Sequence, residues 1–192
     1  VMIGCMVAFS VIVALAPSGL PPFVIVGAGI AAAVPACMVV GYAVERVAYR
    51  PLRNAPRLAP LITAIGVSIV LQHLALLVWS RNIIAFPQII DLKLYHLGSS
   101  ETSAAISNIQ LAIIATSIAM MAGLLLLVYR TKLGIAMRAT SQNPQVAGLM
   151  GIDVNRVISA TFVIGAGLGA VAGAMVGTYY GIAHYQMGFL LG

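Results

Sequence analysis

Few side chains in this sequence are placed to do chemistry, and they fall into two groups. Ser68 and Gln72 lie four residues apart in a run without charge, so a helix would put both on one side. There they are candidates for a substrate path, offering a hydroxyl and an amide to a passing solute. Thr63, Gly66 and His73 fall on a roughly opposite side, and both sets cannot line one pore. Within a membrane, Gln and His commonly bond across helices instead, and that structural use is the alternative for Gln72 and His73.

The second group lies in the segment 131–156. Asn143 suits a helix N-cap, Pro144 the first helical position and Gly151 the residue just past a helix end. These signals delimit a helix of about two turns, on which Val146, Leu149 and Met150 share a face at i, i+3 and i+4 spacing. A short amphipathic helix flanked by cations has the form of an element that docks into a groove of another protein. A helix lying on the bilayer surface and an ordinary loop are the alternatives.

Other chemistries have no residues to carry them. No G-x-x-x-x-G-K-[ST] phosphate loop occurs, so ATP is not bound in that way. No Asp or Glu falls within an expected span, against a proton-coupled carrier with its acidic relays, and His73 has no acidic partner there. No nucleophile–base pair and no Cys/His cluster appears, so neither catalysis nor a metal or other cofactor is expected. Cys5 and Cys37 sit in apolar runs and read as small core residues. His96 and His184 fall in or near outer loops with no specific role.

These residues must be positioned by membrane helices. Hydrophobic residues make up 61% of the 192 positions and charged residues only 7%, with a mean hydropathy of +1.07; a soluble domain carries roughly 25% charged residues. Residues 1–44, 58–80, 102–129 and 157–192 contain no Asp, Glu, Lys or Arg. Each is long enough to span, since ~20 apolar residues cross a ~30 Å hydrocarbon core. Lipid cannot satisfy free backbone groups, so spans are helices or a closed barrel, and the ~10-residue alternation of barrel strands is missing. The expected fold is all-α, a polytopic transmembrane helical bundle with about five spans in this chain.

The helices are expected at about 1–16, 23–44, 60–79, 109–129 and 158–182. Pro17 through Pro22 closes the first, Pro35 would kink the second, and Trp79 would anchor the third at an interface. The loop of about 45–59 holds Arg46, Arg50, Arg53 and Arg57 against Glu45 alone. The loop of about 130–157 holds Arg130, Lys132, Arg138 and Arg156 against Asp153. Two spans separate these loops, so they share a side, which the positive-inside rule makes cytoplasmic. The intervening segment of about 80–108 balances Arg81 and Lys93 with Asp91 and Glu101, as expected of the outer face. The excess of basic over acidic residues, 10 to 4, therefore marks topology rather than nucleic-acid binding. The chain opens on Val in an apolar run and stops inside another at Met187–Gly192, as a piece cut at both ends would.

The spacing Gln145-Val146-Ala147, three residues, Gly151 resembles the ATPase-docking loop of ABC-importer permeases, Glu-Ala-Ala, three residues, Gly, with Gln for the Glu and Val for the first Ala. Glu45 through Arg53, Leu58 through Ile69, Leu71-Gln72, Gly134 through Ala139, Gly151 through Val157 and the glycine-rich last span widen the likeness. Over nearly its whole length the chain resembles the branched-chain amino acid ABC transporter permeases of the LivH type.

That resemblance implies a multi-pass protein of the cell (inner) membrane, with residues 1–192 a single permease domain shortened at both ends. It implies one subunit of an ATP-driven importer of leucine, isoleucine and valine, without an ATPase site of its own. Its partners would be a second permease subunit, two cytoplasmic ATPase subunits, an extracytoplasmic solute-binding protein, the small-molecule substrate and membrane lipid. Arg138, Gln145, Ala147, Gly151 and Asp153 would form the ATPase-coupling region.

Gly165, Gly169, Gly173, Gly177 and Gly181 repeat every four residues, and small residues at that spacing let helices approach closely in lipid. Each step drifts ~40° around the helix, so the stripe would meet more than one neighbour; lining a narrow path is its alternative use. Three other functions remain open: a permease for another small solute such as an amide, urea or a sugar, a passive channel, and a membrane scaffold without transport.

Overall fold

A computed structural model describes residues 1–18, 21–52, 56, 58–79, 84–85, 94–97 and 104–183. Arg53, Arg57, Arg81, Asp91, Lys93, Glu101 and His184, which the sequence reading assigned to loops, lie outside the described residues. The helices are α1 (Met2–Leu15), α2 (Pro22–Val44), α3 (Ala59–Trp79), α4 (Asn108–Arg130), α5 (Lys132–Gln142), α6 (Pro144–Leu149) and α7 (Val154–Tyr180). Four of the described helical stretches are long and apolar enough to cross a membrane: Pro22–Leu52, Ala59–Trp79, Asn108–Arg130 and Val154–Tyr180. The 14-residue α1 reaches only about 21 Å at 1.5 Å per residue. The protein is an all-α, polytopic membrane protein.

Two departures from expectation matter. First, α2 does not stop at Val44 but runs on through a π-helical turn (Glu45–Tyr49) and a 3₁₀ turn (Arg50–Leu52). The arginines of this stretch suggest a solvated loop, yet Glu45 within it is buried. Second, α5 occupies residues expected to be loop. Thr131 starts it, its hydroxyl accepting a hydrogen bond from the Gly134 amide at 3.1 Å.

The chain divides into two compact units, 1–87 with 159–192, and 88–158. In the first, α1, α2 and α7 meet through small residues. Ala8, Ala33, Cys37, Ala170 and Ala174 are buried together, with Ile3, Val7, Ile30, Val34 and Ala166 packed around them. Lipid tails are as apolar as leucine, so helices in a membrane gain from close packing rather than from leaving lipid. That explains a core of alanines. Cys5 and Cys37 are buried free thiols. Pro35 sits inside α2 without ending it. Trp79, at the end of α3, donates from Nε1 to the Ser10 hydroxyl at 2.6 Å, and Ser10 donates in turn to the Met6 carbonyl at 3.0 Å. A short antiparallel pairing joins β1 (Ile84–Ala85) to β4 (Ile182–Ala183).

In the second unit, β2 (Leu94–Leu97) pairs antiparallel with β3 (Ala104–Ser107), leading into α4. The Gln110 side chain accepts from the Ser107 amide at 3.1 Å, capping that helix start. None of the residues of α4 is buried. Its Leu111, Ile118 and Leu126 stand exposed, as suits a helix with lipid for solvent. Gly134 lets α5 fold back on α4, since a Cβ there would run into the carbonyls of Leu127 and Val128.

Candidate functional site

Within the first unit, α1, α2, α3 and α7 line an open pocket of about 370 Å³. Ser68 and Gln72 from α3 line it together with Cys37 and Gly41 from α2 and Gly165 and Gly169 from α7. The Gln72 amide donates to the Ser68 hydroxyl at 3.2 Å, so the pair presents one shared polar patch on an otherwise apolar wall. Among the described residues, no lining side chain is charged. The volume falls in the ~300–1,000 Å³ range of small-molecule sites. Thr63 and His73 do not join this wall. Thr63 donates to the Ala59 carbonyl at 2.9 Å, and His73 Nδ1 lies 2.9 Å from the Ile69 carbonyl, each within α3.

The glycine stripe divides by use. Gly165 and Gly169 border the cavity, and Gly173 and Gly177 are buried. A Cβ on Gly173 would strike the Val1 carbonyl. Gly181 lies past the last helical turn at φ 65°, its amide bonded to the Gly177 carbonyl at 3.0 Å; it ends the helix rather than packing it. Other close approaches of α7 involve residues outside the stripe. A Cβ on Gly41 would sit 2.5 Å from Ala166 Cβ, and one on Gly167 would sit 2.8 Å from Met38 Cε.

Glu45 is the residue that sequence reasoning misplaced. It was expected among solvated arginines, but it is fully buried and accepts a hydrogen bond from the Ser159 hydroxyl of α7 at 2.7 Å. One turn further, the rings of Tyr49 and Phe162 meet at 5.0 Å between centroids. Gly41, Glu45 and Tyr49 thus form one stripe against α7, while Arg46 and Val47 point outward. Each α-helical step of four residues overshoots by about 40°; the wider π turn undershoots and returns Tyr49 to the face of Gly41. An unpaired buried polar group would cost about 1–3 kcal/mol, and the Ser159 bond offsets part of that cost.

In the second unit, α5 and α6 join at the single residue Asn143. Its amide bonds back to the Ala139 carbonyl at 3.2 Å, and its side chain accepts from the Gln145 and Val146 amides at 3.0 and 3.2 Å. At the other end the Gly151 amide bonds to the Gly148 carbonyl and the Ile152 amide to the Ala147 carbonyl, both at 3.1 Å. Gly151 has φ 83°. This is the paired closure in which a left-handed residue satisfies the last carbonyls of a helix. Ala147 faces inward, whereas Val146, Leu149 and Met150 are exposed, Leu149 at 87%.

Gln145 is exposed at the start of α6, and Arg138 on α5 lies 5.1 Å over the Tyr129 ring of α4. Asp153 caps α7, accepting from the Asn155 and Arg156 amides at 3.1 and 3.2 Å and pairing with the Arg156 guanidinium at 3.0 Å. The cap predicts a local effect. Asn143→Ala should cost about 1 kcal/mol, seen in hydrogen–deuterium exchange as roughly fivefold faster exchange of the Gln145 and Val146 amides; unchanged rates would mean that packing alone holds α6.

Apolar helices of spanning length and a seam of small residues define a multi-pass membrane protein. The family model described as the branched-chain amino acid transport system / permease component matches residues 1–192, and the chain belongs to that family. It is 41% identical to the high-affinity branched-chain amino acid transport system permease protein LivH of Salmonella typhimurium, over 194 residues. It is 40% identical to LivH of Escherichia coli and to the corresponding protein BraD of Pseudomonas aeruginosa. Each alignment covers all of this chain and 62% of the relative, so the chain spans less than two-thirds of those proteins' length. No solved structure matches it.

Proposed function

We propose that the protein is the membrane permease subunit of an ATP-driven importer for leucine, isoleucine and valine. The observation that carries this is α6: a helix closed at both ends by its own caps, with Val146, Leu149 and Met150 exposed, in a chain of the branched-chain amino acid permease family. Exposed apolar side chains on a rigid, short helix suit insertion into a cleft of a cytoplasmic ATPase subunit. Nucleotide-driven closure of that cleft would move α6 as a body, with α4 and α7 carrying the movement to the path. Arg138, Gln145, Ala147, Gly151 and Asp153 build and hold this coupling region. Ser68 and Gln72 mark the solute path, whose uncharged wall leaves much of the selection to an extracytoplasmic binding protein. A second permease subunit and a second ATPase complete the assembly.

The full-length protein, co-expressed with its permease, ATPase and binding-protein partners, should copurify with the ATPase subunits. In proteoliposomes it should take up labelled leucine only when ATP is supplied. Absence of ATPase copurification would leave a channel or a scaffold. Uptake of an amide, urea or a sugar in place of leucine would overturn the substrate and keep the importer.

A further inference from the structure

We infer that Glu45 and Ser159 form a positioning latch that makes the arginine-bearing end of α2 move with α7, so that movement begun at the docking helix reaches the cavity wall. The inference rests on the importer reading above and adds to it a residue pair on different helices. α7 is one unbroken helix from Val154 to Tyr180. It starts at the Asp153 cap immediately after α6 and carries Gly165 and Gly169, which border the cavity. α2 supplies the facing wall through Cys37 and Gly41. Along α7, between Val154 and Gly165, the Ser159 hydroxyl donates to Glu45 Oε2 at 2.7 Å, and Glu45 has no exposed surface.

The bond has the properties a latch needs. It is short and directional, whereas the contacts above and below it, Gly41 on Ala166 and Tyr49 on Phe162, are packing contacts without a hydrogen bond's fixed direction. A rigid helix transmits displacement only to what is fastened to it. The π turn beginning at Glu45 brings the carboxyl and the Tyr49 ring onto one face, and such turns are frequent at functional positions.

The test uses the complete transporter in proteoliposomes, reading leucine uptake, ATP hydrolysis and ATPase retention on the same preparations. Ser159→Ala should lower uptake about tenfold, within the range typical of coupling between sites. ATP hydrolysis should stay within about twofold, so that more ATP is consumed per leucine. Ser159→Thr, which keeps the hydroxyl, should retain uptake. Glu45→Met should also lower uptake, and the two losses should combine to less than their sum in the double variant, because both substitutions remove the bond between Ser159 and Glu45. Uptake and hydrolysis falling together, loss of the ATPase subunits, additive losses or unchanged uptake would each overturn the latch. A wild-type complex without ATP-driven leucine uptake would instead overturn the importer reading.

Discussion

Gly41→Val is expected to be the most destabilising single substitution in α2. The first added carbon would lie 2.5 Å from Ala166 Cβ and 3.3 Å from the Phe162 carbonyl oxygen, where nonbonded carbons prefer about 3.5–4.0 Å. Neither neighbour can swing away, since one is a methyl fixed to backbone and the other is backbone. The helices must part instead. Overpacking of this kind costs about 1–3 kcal/mol, and here it also strains the Glu45–Ser159 bond and the Tyr49–Phe162 contact along the same seam. A loss of about 3 kcal/mol is the expected result, measured as a lowered unfolding midpoint in detergent and a smaller yield of assembled complex. Two further variants isolate the cause. Gly66→Val on α3 meets nothing within 4 Å and should leave the unfolding midpoint nearly unchanged or slightly raised, since Val is a better helix former than Gly. Gly41→Ala combined with Ala166→Gly exchanges the methyl across the seam and should recover most of what Gly41→Ala alone loses. If the two substitutions simply add, the seam is not the cause.

What the sequence reveals depends on how local the deciding interaction is. The spans follow from charge-free length alone, and their ends in the structure fall close to those expected except where α2 continues to Leu52. Asn143, Pro144 and Gly151 are equally readable, because a cap is made between residues a few positions apart. Glu45 fails for the opposite reason. Its neighbours Arg46 and Arg50 make the segment look solvated, and the contacts that bury one face lie far along the chain, Ser159 being 114 residues away. α5 is hidden by its glycine: Gly134 weakens the helical signal, yet it is there because α5 must lie against the carbonyls ending α4. The stripe from Gly165 to Gly181 shows the limit of periodicity. The repeat marks a helix that something approaches closely, but which glycine meets a helix, a cavity or a turn is set by the neighbours' shapes. Ser68 and Gln72 could be picked out as polar residues in an apolar span, but not placed on a wall shared with α2 and α7.

Gly151→Val should sever coupling between ATP hydrolysis and transport, and the reason lies in the backbone. Nothing stands within 4 Å of a Cβ at this position, so a side chain does not clash. The conformation at φ 83° is the obstacle: β-branched residues avoid the left-handed region, and holding one there costs about 1–3 kcal/mol. A six-residue helix cannot absorb that cost. The chain would relax by opening the turn, losing the bonds from Gly151 to Gly148 and from Ile152 to Ala147. Leu149 and Met150 would then lose their fixed direction, and the Asp153 cap that starts α7 would shift with them. Uptake should fall tenfold or more, as a redistribution of 1.4 kcal/mol or above implies, with ATPase subunits retained less firmly on the complex. Gly151→Asn separates backbone from surface, because Asn tolerates the left-handed conformation while still adding a side chain. It should keep most of the uptake that Gly151→Val loses. Equal loss in both variants would mean that a partner needs the bare glycine surface, and full coupled transport in Gly151→Val would show that α6 is not the element through which the ATPase acts.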